Sequence, residues 1–162
     1  MPEAIAYERL LPCLLDRLTD EEPDARQEGR DRRVVGLRRY LEAVRRDLAW
    51  LLNSKARPRG DRIYDFPEVA RSVLNYGIPD LCGATGSTVE PADFERELRR
   101  AVQTFEPRLS PATLMVRADV DPQQMNSNAL TFEIVGEVWA MPAPEAFFAR
   151  TEVDLETGDW RL

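Results

Sequence analysis

Phe105-Glu106-Pro107-Arg108 is the stretch on which the reading of the fold turns. Before it, from Pro91, the apolar residues Phe94, Leu98, Ala101, Val102 and Phe105 recur at helical spacing. After it, apolar and polar residues alternate as in strands. Proline has no backbone N–H and drives the residue before it out of the helical region. Glu106 is therefore expected to end the helix and Arg108 to open an extended segment. Side chains two apart in an extended chain share a face, which puts Glu106 and Arg108 side by side. Such an acid–proline–base corner is either a structural ion pair or the centre of a site.

Downstream, residues 114–120 alternate, with Leu114, Val116, Ala118 and Val120 on one face. Residues 130–139 set Leu130, Phe132 and Ile134 against Thr131, Glu133 and Val135, and Gly136 marks a bulge or a close approach. Residues 147–155 alternate again, with Phe148, Arg150, Glu152 and Asp154 on the wetter face. A polar tip at 121–128 separates the first two strands, and Pro142 and Pro144 separate the last two. Helices first and strands last predict an α+β fold: N-terminal helices packed on a C-terminal antiparallel or mixed sheet of about three to four strands.

Upstream, residues 37–53 give the strongest helical pattern, with Leu37, Leu41, Val44, Leu48 and Leu51 in one stripe. Trp50 and Leu52 are expected to broaden that stripe, while Arg38, Arg39, Glu42, Arg45, Arg46 and Asp47 cover the other faces. Pro67 starts a short helix to Asn75 with Val69, Val73 and Leu74 facing inward, and Gly77 suits the left-handed position after it. The loop at 80–89 lacks both GxxxxGK[ST] and GxGxxG and is no phosphate cradle. At the N-terminus, Ala4, Tyr7, Leu10, Leu11, Leu14, Leu15 and Leu18 are spaced helically, but Pro12 demands a kink or a short late helix. Residues 19–36 read as an exposed charged linker. The leucine segment either docks onto another molecule or folds back on its own core.

Composition narrows the function. The net charge is 22 − 29 = −7, which argues against nucleic-acid binding. Residues 26–46 nevertheless hold eight arginines against three acids, a patch suited to an acidic protein partner or simply a solvated face. No run approaches the roughly 20 apolar residues of a membrane helix. The acids near Met1 make a poor signal peptide, and two distant cysteines, Cys13 and Cys82, point to free thiols in a reducing compartment. The chain has no histidine, which removes the commonest general base and the commonest metal ligand, and no cofactor is expected.

Several blocks together resemble the TssE family: Leu14-Leu15-Asp16-Arg17-Leu18, residues 46–53 (RDLAWLLN), Phe66-Pro67, residues 72–77 (SVLNYG), Pro79-Asp80 and residues 105–109 (FEPRL). TssE proteins are baseplate components of type VI secretion systems, related to phage baseplate-wedge proteins once called lysozyme-like. The resemblance implies a cytoplasmic, non-enzymatic wedge subunit. Its partners would be other wedge proteins and the contractile sheath, whose polymerisation it helps to start, with no nucleic acid, membrane insertion or small-molecule substrate. On this reading residues 1–36 form a docking helix (residues Leu14, Leu15, Asp16, Arg17 and Leu18) and its linker, and 37–162 form the wedge domain. Glu106, Pro107 and Arg108 hold the helix–sheet corner or reach a charged group on the partner, and the sheet lends an edge to sheath strands.

Two alternatives are a peptidoglycan hydrolase and a generic regulatory binding module. The hydrolase needs two carboxyls across a cleft, Glu106 with Asp119 or Glu133. Arg108 beside Glu106 opposes the raised pKa a general acid requires.

Overall fold

The computed structural model describes residues 10–19, 23–24, 34–58, 60–80, 91–119, 129–140 and 143–162. The expectations for Ala4, Tyr7, Cys82, most of the linker, the loop at 81–89 and the tip at 121–128 lie outside these residues. Helices α1 (Leu14–Leu18), α2 (Leu37–Leu52), α3 (Pro67–Ala70) and α4 (Pro91–Phe105) precede strands β1 (Met115–Asp119), β2 (Ala129–Val138), β3 (Glu145–Asp154) and β4 (Trp160–Arg161). The fold is α+β, as the order of patterns required.

The sheet is an antiparallel meander in the order β1-β2-β3-β4. Its register sets Val116 opposite Ile134, Ile134 opposite Ala149, and Phe132 opposite Ala118 and Thr151. Alternation then sends Val116, Phe132, Ile134, Val138, Phe147, Ala149 and Val153 to one buried face. Gly136 holds its place in the ladder opposite Phe147, so it is a close approach to Leu114 and not a bulge. The buried stripes of α2 (Val44, Leu48, Leu51) and α4 (Phe94, Leu98, Val102) join this face in one core. Phe94, Phe132 and Trp160 meet there with ring centroids 5.3–5.8 Å apart, a range in which aromatic pairs attract beyond their buried area.

Strand β4 has no signature of its own, because two residues cannot display alternation. It is placed by Asn53, the residue after α2. The Asn53 amide donates to the Trp160 carbonyl at 3.1 Å and accepts from the Trp160 N–H at 3.0 Å, standing in for a neighbouring strand.

Two helical expectations are corrected. Trp50 does not broaden the buried stripe: it is half exposed and lies beneath the Arg46 guanidinium, 5.1 Å from the ring centroid. The pattern at 67–75 is not one helix. α3 stops at Ala70, a 3-10 turn covers Val73–Asn75, and Val69, Val73 and Leu74 face outward, the last two 80% and 69% exposed. The break follows from Asn75, whose buried side chain accepts from the Arg57 N–H (2.9 Å) and donates to the Ala70 carbonyl (3.0 Å). Those bonds use the polar residue as the inward anchor and turn its apolar neighbours out. Gly77 follows with φ +128°, a left-handed conformation beside the Ser54 backbone that leaves no room for a Cβ.

The two edges of the sheet differ. Glu95 of α4 accepts the Ala118 N–H at 2.7 Å, occupying a donor on the outer edge of β1. On the other side β4 pairs only with Glu152 and Val153. Among the described residues, the rest of β3 has no strand beside it there, and Arg45 donates a 3.3 Å hydrogen bond to the Phe148 carbonyl.

Candidate functional site

Helix α4 ends at Phe105, where the Glu106 N–H still reaches the Val102 carbonyl at 2.8 Å. The Leu109 N–H then bonds the Glu106 carbonyl at 3.2 Å, so Pro107 and Arg108 lie in a tight turn. This corrects the expectation that Arg108 opens an extended segment. Pairing begins one residue later, with Leu109 opposite Val138 and the Arg108 carbonyl accepting from the Trp139 N–H at 2.8 Å. Glu106 and Arg108 do sit side by side, brought together by the turn and not by strand periodicity.

The Arg108 guanidinium grips Glu106 as a fork: Nε donates to Oε1 at 2.6 Å and Nη2 donates to Oε2. The same Nη2 donates to Asp47 Oδ2 of α2 at 2.6 Å, and the guanidinium lies 5.9 Å from the Tyr40 ring centroid. Asp47 in turn accepts from Arg46 Nε at 2.9 Å and Nη2 at 2.8 Å. Arg46 Nη1 reaches Asp16 of α1, whose other oxygen accepts from the Cys13 thiol at 3.0 Å. Glu106, Arg108, Asp47, Arg46 and Asp16 thus form one alternating chain of charge linking α4, α2 and α1. Its Glu106 end is enclosed, with a side chain 4% exposed, and its Arg46 link is the wettest at 35%.

This chain perturbs its members in consistent directions. Burial pulls the Arg108 pKa down, but hydrogen bonding and charge from Glu106 and Asp47 outweigh it and hold the guanidinium above its ordinary value. The hydrogen bond to Asp16 does most to raise Arg46. The same bond outweighs burial to lower the Asp16 carboxyl below its usual 3.8. Burial foremost raises the Tyr40 and Tyr76 phenols, and the carboxylate of Glu106 adds to it in both.

The arrangement is a closed ion-pair network and not the geometry of a general acid. Arginine does not deprotonate in proteins, and both Glu106 oxygens face Arg108, closed off from a polymeric substrate. Asp119 pairs with Arg150 at 2.9 Å on the far face of the sheet, and Glu133 lies across from Arg117 and Arg150 on that face. Neither shares a cleft with Glu106. Cys13 is a free thiol. Among the described residues no cluster could hold a metal, and no helix is long and apolar enough to cross a membrane.

The docking candidates on α1 divide by chemistry. Leu14, Leu15 and Leu18 are exposed, as is Leu11, whereas Asp16 turns inward to Arg46 and Arg17 is exposed. Leu10 just before them is buried and paired with Val35, tying the segment to the body. Sequence reasoning missed Asp47 and Arg46, assigned to solvated faces of α2. The available signal was that Asp47 precedes the buried Leu48 and follows Val44 by three, placing it at the rim of the stripe.

A family profile described as baseplate wedge protein gp25 matches residues 38–143. No curated protein and no solved structure matches the chain. The matched span holds α2, the SVLNYG block, α4, the Glu106-Pro107-Arg108 turn and β1 and β2, so it contains every link of the charge chain except Asp16. Covering well over half of the molecule, the match agrees with the resemblance carried by those same motifs: the chain belongs to the gp25 family of baseplate wedge proteins, the family of TssE.

Proposed function

We propose that this chain is a wedge subunit of a type VI secretion baseplate, cytoplasmic and non-enzymatic. It joins other wedge proteins to the contractile sheath and helps sheath polymerisation to start. The observation that carries the reading is membership of the baseplate wedge family. Two features support its finer parts. The edge of β3 beside Ala146, Phe148 and Arg150 suits strand addition, in which main-chain hydrogen bonds give affinity and alternate side chains give specificity. The exposed leucines of α1 suit docking on a neighbouring wedge subunit. In this scheme the Glu106–Arg108–Asp47 link fixes α4 and α2 at the corner from which the sheet departs.

The test is sheath assembly in cells carrying a fluorescent sheath subunit. Arg108→Ala is expected to abolish sheath foci while the purified variant keeps a folded circular dichroism spectrum. Because that change strands a buried carboxylate, Arg108→Lys is measured beside it: it keeps the charge but loses the fork. Loss of fold in both variants assigns the turn to stability alone, and normal foci in both refute the assembly role. Deleting residues 1–18 is expected to break co-purification with the other wedge subunits, and an unaffected complex refutes docking through α1.

A further inference from the structure

Tyr64 and Leu74, two of the apolar residues exposed at 64–74, border a broad cavity. It is an open groove of about 1000 Å³ between the segment 55–80 and the outer side of α4. Leu74, Tyr64 and Ala70 line one wall, and Ala101 and Phe105 line the other. Phe66, Val69 and Val73 are exposed on the same short segment. Soluble chains do not leave that many large apolar groups together without a use.

The charge of the groove opposes that of the chain. Lys55, Arg57, Arg71 and Arg100 line it against Asp80 and Glu97, so its balance is 4 − 2 = +2 in a molecule of −7. Lys55 and Asp80 pair with each other at 2.7 Å. Arg57, Arg71 and Arg100 are exposed, and no ion pair is formed by their guanidinium groups among the described residues. A helix with its side chains is about 10–12 Å across and rises about 1.5 Å per residue. A trough of this volume therefore seats roughly two helical turns, enough for one set of anchors at i, i+3, i+4 and i+7.

We infer that this groove is a docking site for an acidic amphipathic helix of another protein, its leucine-type anchors between Leu74 and Phe105 and its carboxylates toward Arg57, Arg71 and Arg100. This surface is distinct from the charge chain and from the β3 edge, so it stands or falls independently of sheath initiation. The Phe105 ring lies at the boundary: it lines the groove and meets Tyr76 edge-on at 5.1 Å, one residue before Glu106.

The test uses the full chain and three fluorescein-labelled 16-residue probes. The first is a helix with leucine at i, i+3, i+4 and i+7 and glutamate elsewhere. The second replaces its glutamates by lysine, and the third keeps the acids but replaces the leucines by serine. Saturable anisotropy is expected for the first, at least tenfold tighter than for either control. Amide shifts in its NMR titration are expected at Leu74, Ala101 and Phe105. Leu74→Asp and Arg100→Glu, both at exposed positions and so compatible with the fold, are each expected to weaken binding at least fivefold. Equal binding of acidic and basic helices, shifts confined to another face, or no saturation at millimolar probe overturns the inference. Tighter binding of a proline-interrupted, non-helical version of the acidic probe overturns the helical occupant.

Discussion

Removing the Glu106 carboxylate is the sharpest perturbation of the α4–sheet corner. In Glu106→Ala, Arg108 loses both side-chain bonds from its Nε and Nη2 to that carboxylate, along with a 3.2 Å bond from its own backbone N–H. It keeps Asp47 at 2.6 Å. Breaking a buried pair by deleting one partner costs about 3–5 kcal/mol. The remaining Asp47 contact and the 18% exposure of the Arg108 side chain place this case at the lower end, about 3 kcal/mol. For a chain of this size each kcal/mol shifts Tm by about 2–4 °C, so the expected drop is about 6–12 °C. Urea unfolding followed by circular dichroism is the assay, with an unchanged m-value showing that the same surface is still exposed on unfolding. The double variant Glu106→Gln/Arg108→Met tests the attribution: if the cost is the stranded guanidinium, replacing both partners recovers much of it. A Glu106→Ala loss under about 1 kcal/mol, or a double variant as unstable as the sum of the singles, refutes the claim that this pair holds the corner.

Three further outcomes follow from other contacts. Asp16 has its carboxyl lowered below 3.8 by Arg46, so its contribution is complete above its unfolded pKa and is lost as pH falls through the lower folded value. Asp16→Asn is expected to flatten the acid limb of the stability–pH curve below about pH 4, measured by urea midpoints at several pH values. Tyr40 and Tyr76 titrate above their ordinary 10.0 in the folded state, so stability falls as pH rises past that value. Absorbance at 295 nm should show two phenols ionising late, and Tyr40→Phe should remove one. A Cβ at Gly77 meets the Ser54 carbonyl oxygen at 2.4 Å in a left-handed conformation, and Gly77→Ala is expected to cost upwards of about 2 kcal/mol by thermal unfolding.

How much of this was legible depended on whether one periodicity decided the matter. The stripes of α2 and α4 and the alternation of β2 and β3 each repeat over ten or more residues, and burial follows their main positions, with Trp50 exposed and Tyr40 buried as the departures on α2. Where an element is shorter than its own period, the pattern loses its authority. At 67–75 the apolar spacing suggested an inward face, but the two hydrogen bonds of Asn75 outweighed it, because a buried amide must be satisfied while Val73 and Leu74 can remain wet at modest cost. Strand β4 depends on Asn53, 107 residues away from its partner Trp160, and no local window contains that information.

The corner itself illustrates the same limit in charge. Glu106 and Arg108 were expected side by side from the spacing of an extended chain, and they do meet, but through the turn at Pro107 and Arg108. Asp47 is 61 residues from Arg108 and sits in a helix rich in arginine, where the local reading places it among the residues that cover the outer faces. Only packing α2 against α4 reveals that Asp47 serves both arginines at once and thereby continues the chain to Asp16. This joins the enclosed turn to the segment bearing the exposed leucines through side chains alone. Any partner that draws Asp16 away from Arg46 must therefore change the field at Arg108, two links along. Asp47→Asn tests that coupling: it keeps the shape but weakens the middle link. In this variant the effect of Asp16→Asn on stability should become independent of Glu106→Gln, while in the parent the two effects should be non-additive in a double-mutant cycle. Additivity in the parent would show that the chain is a row of separate contacts, with no communication between α1 and the turn.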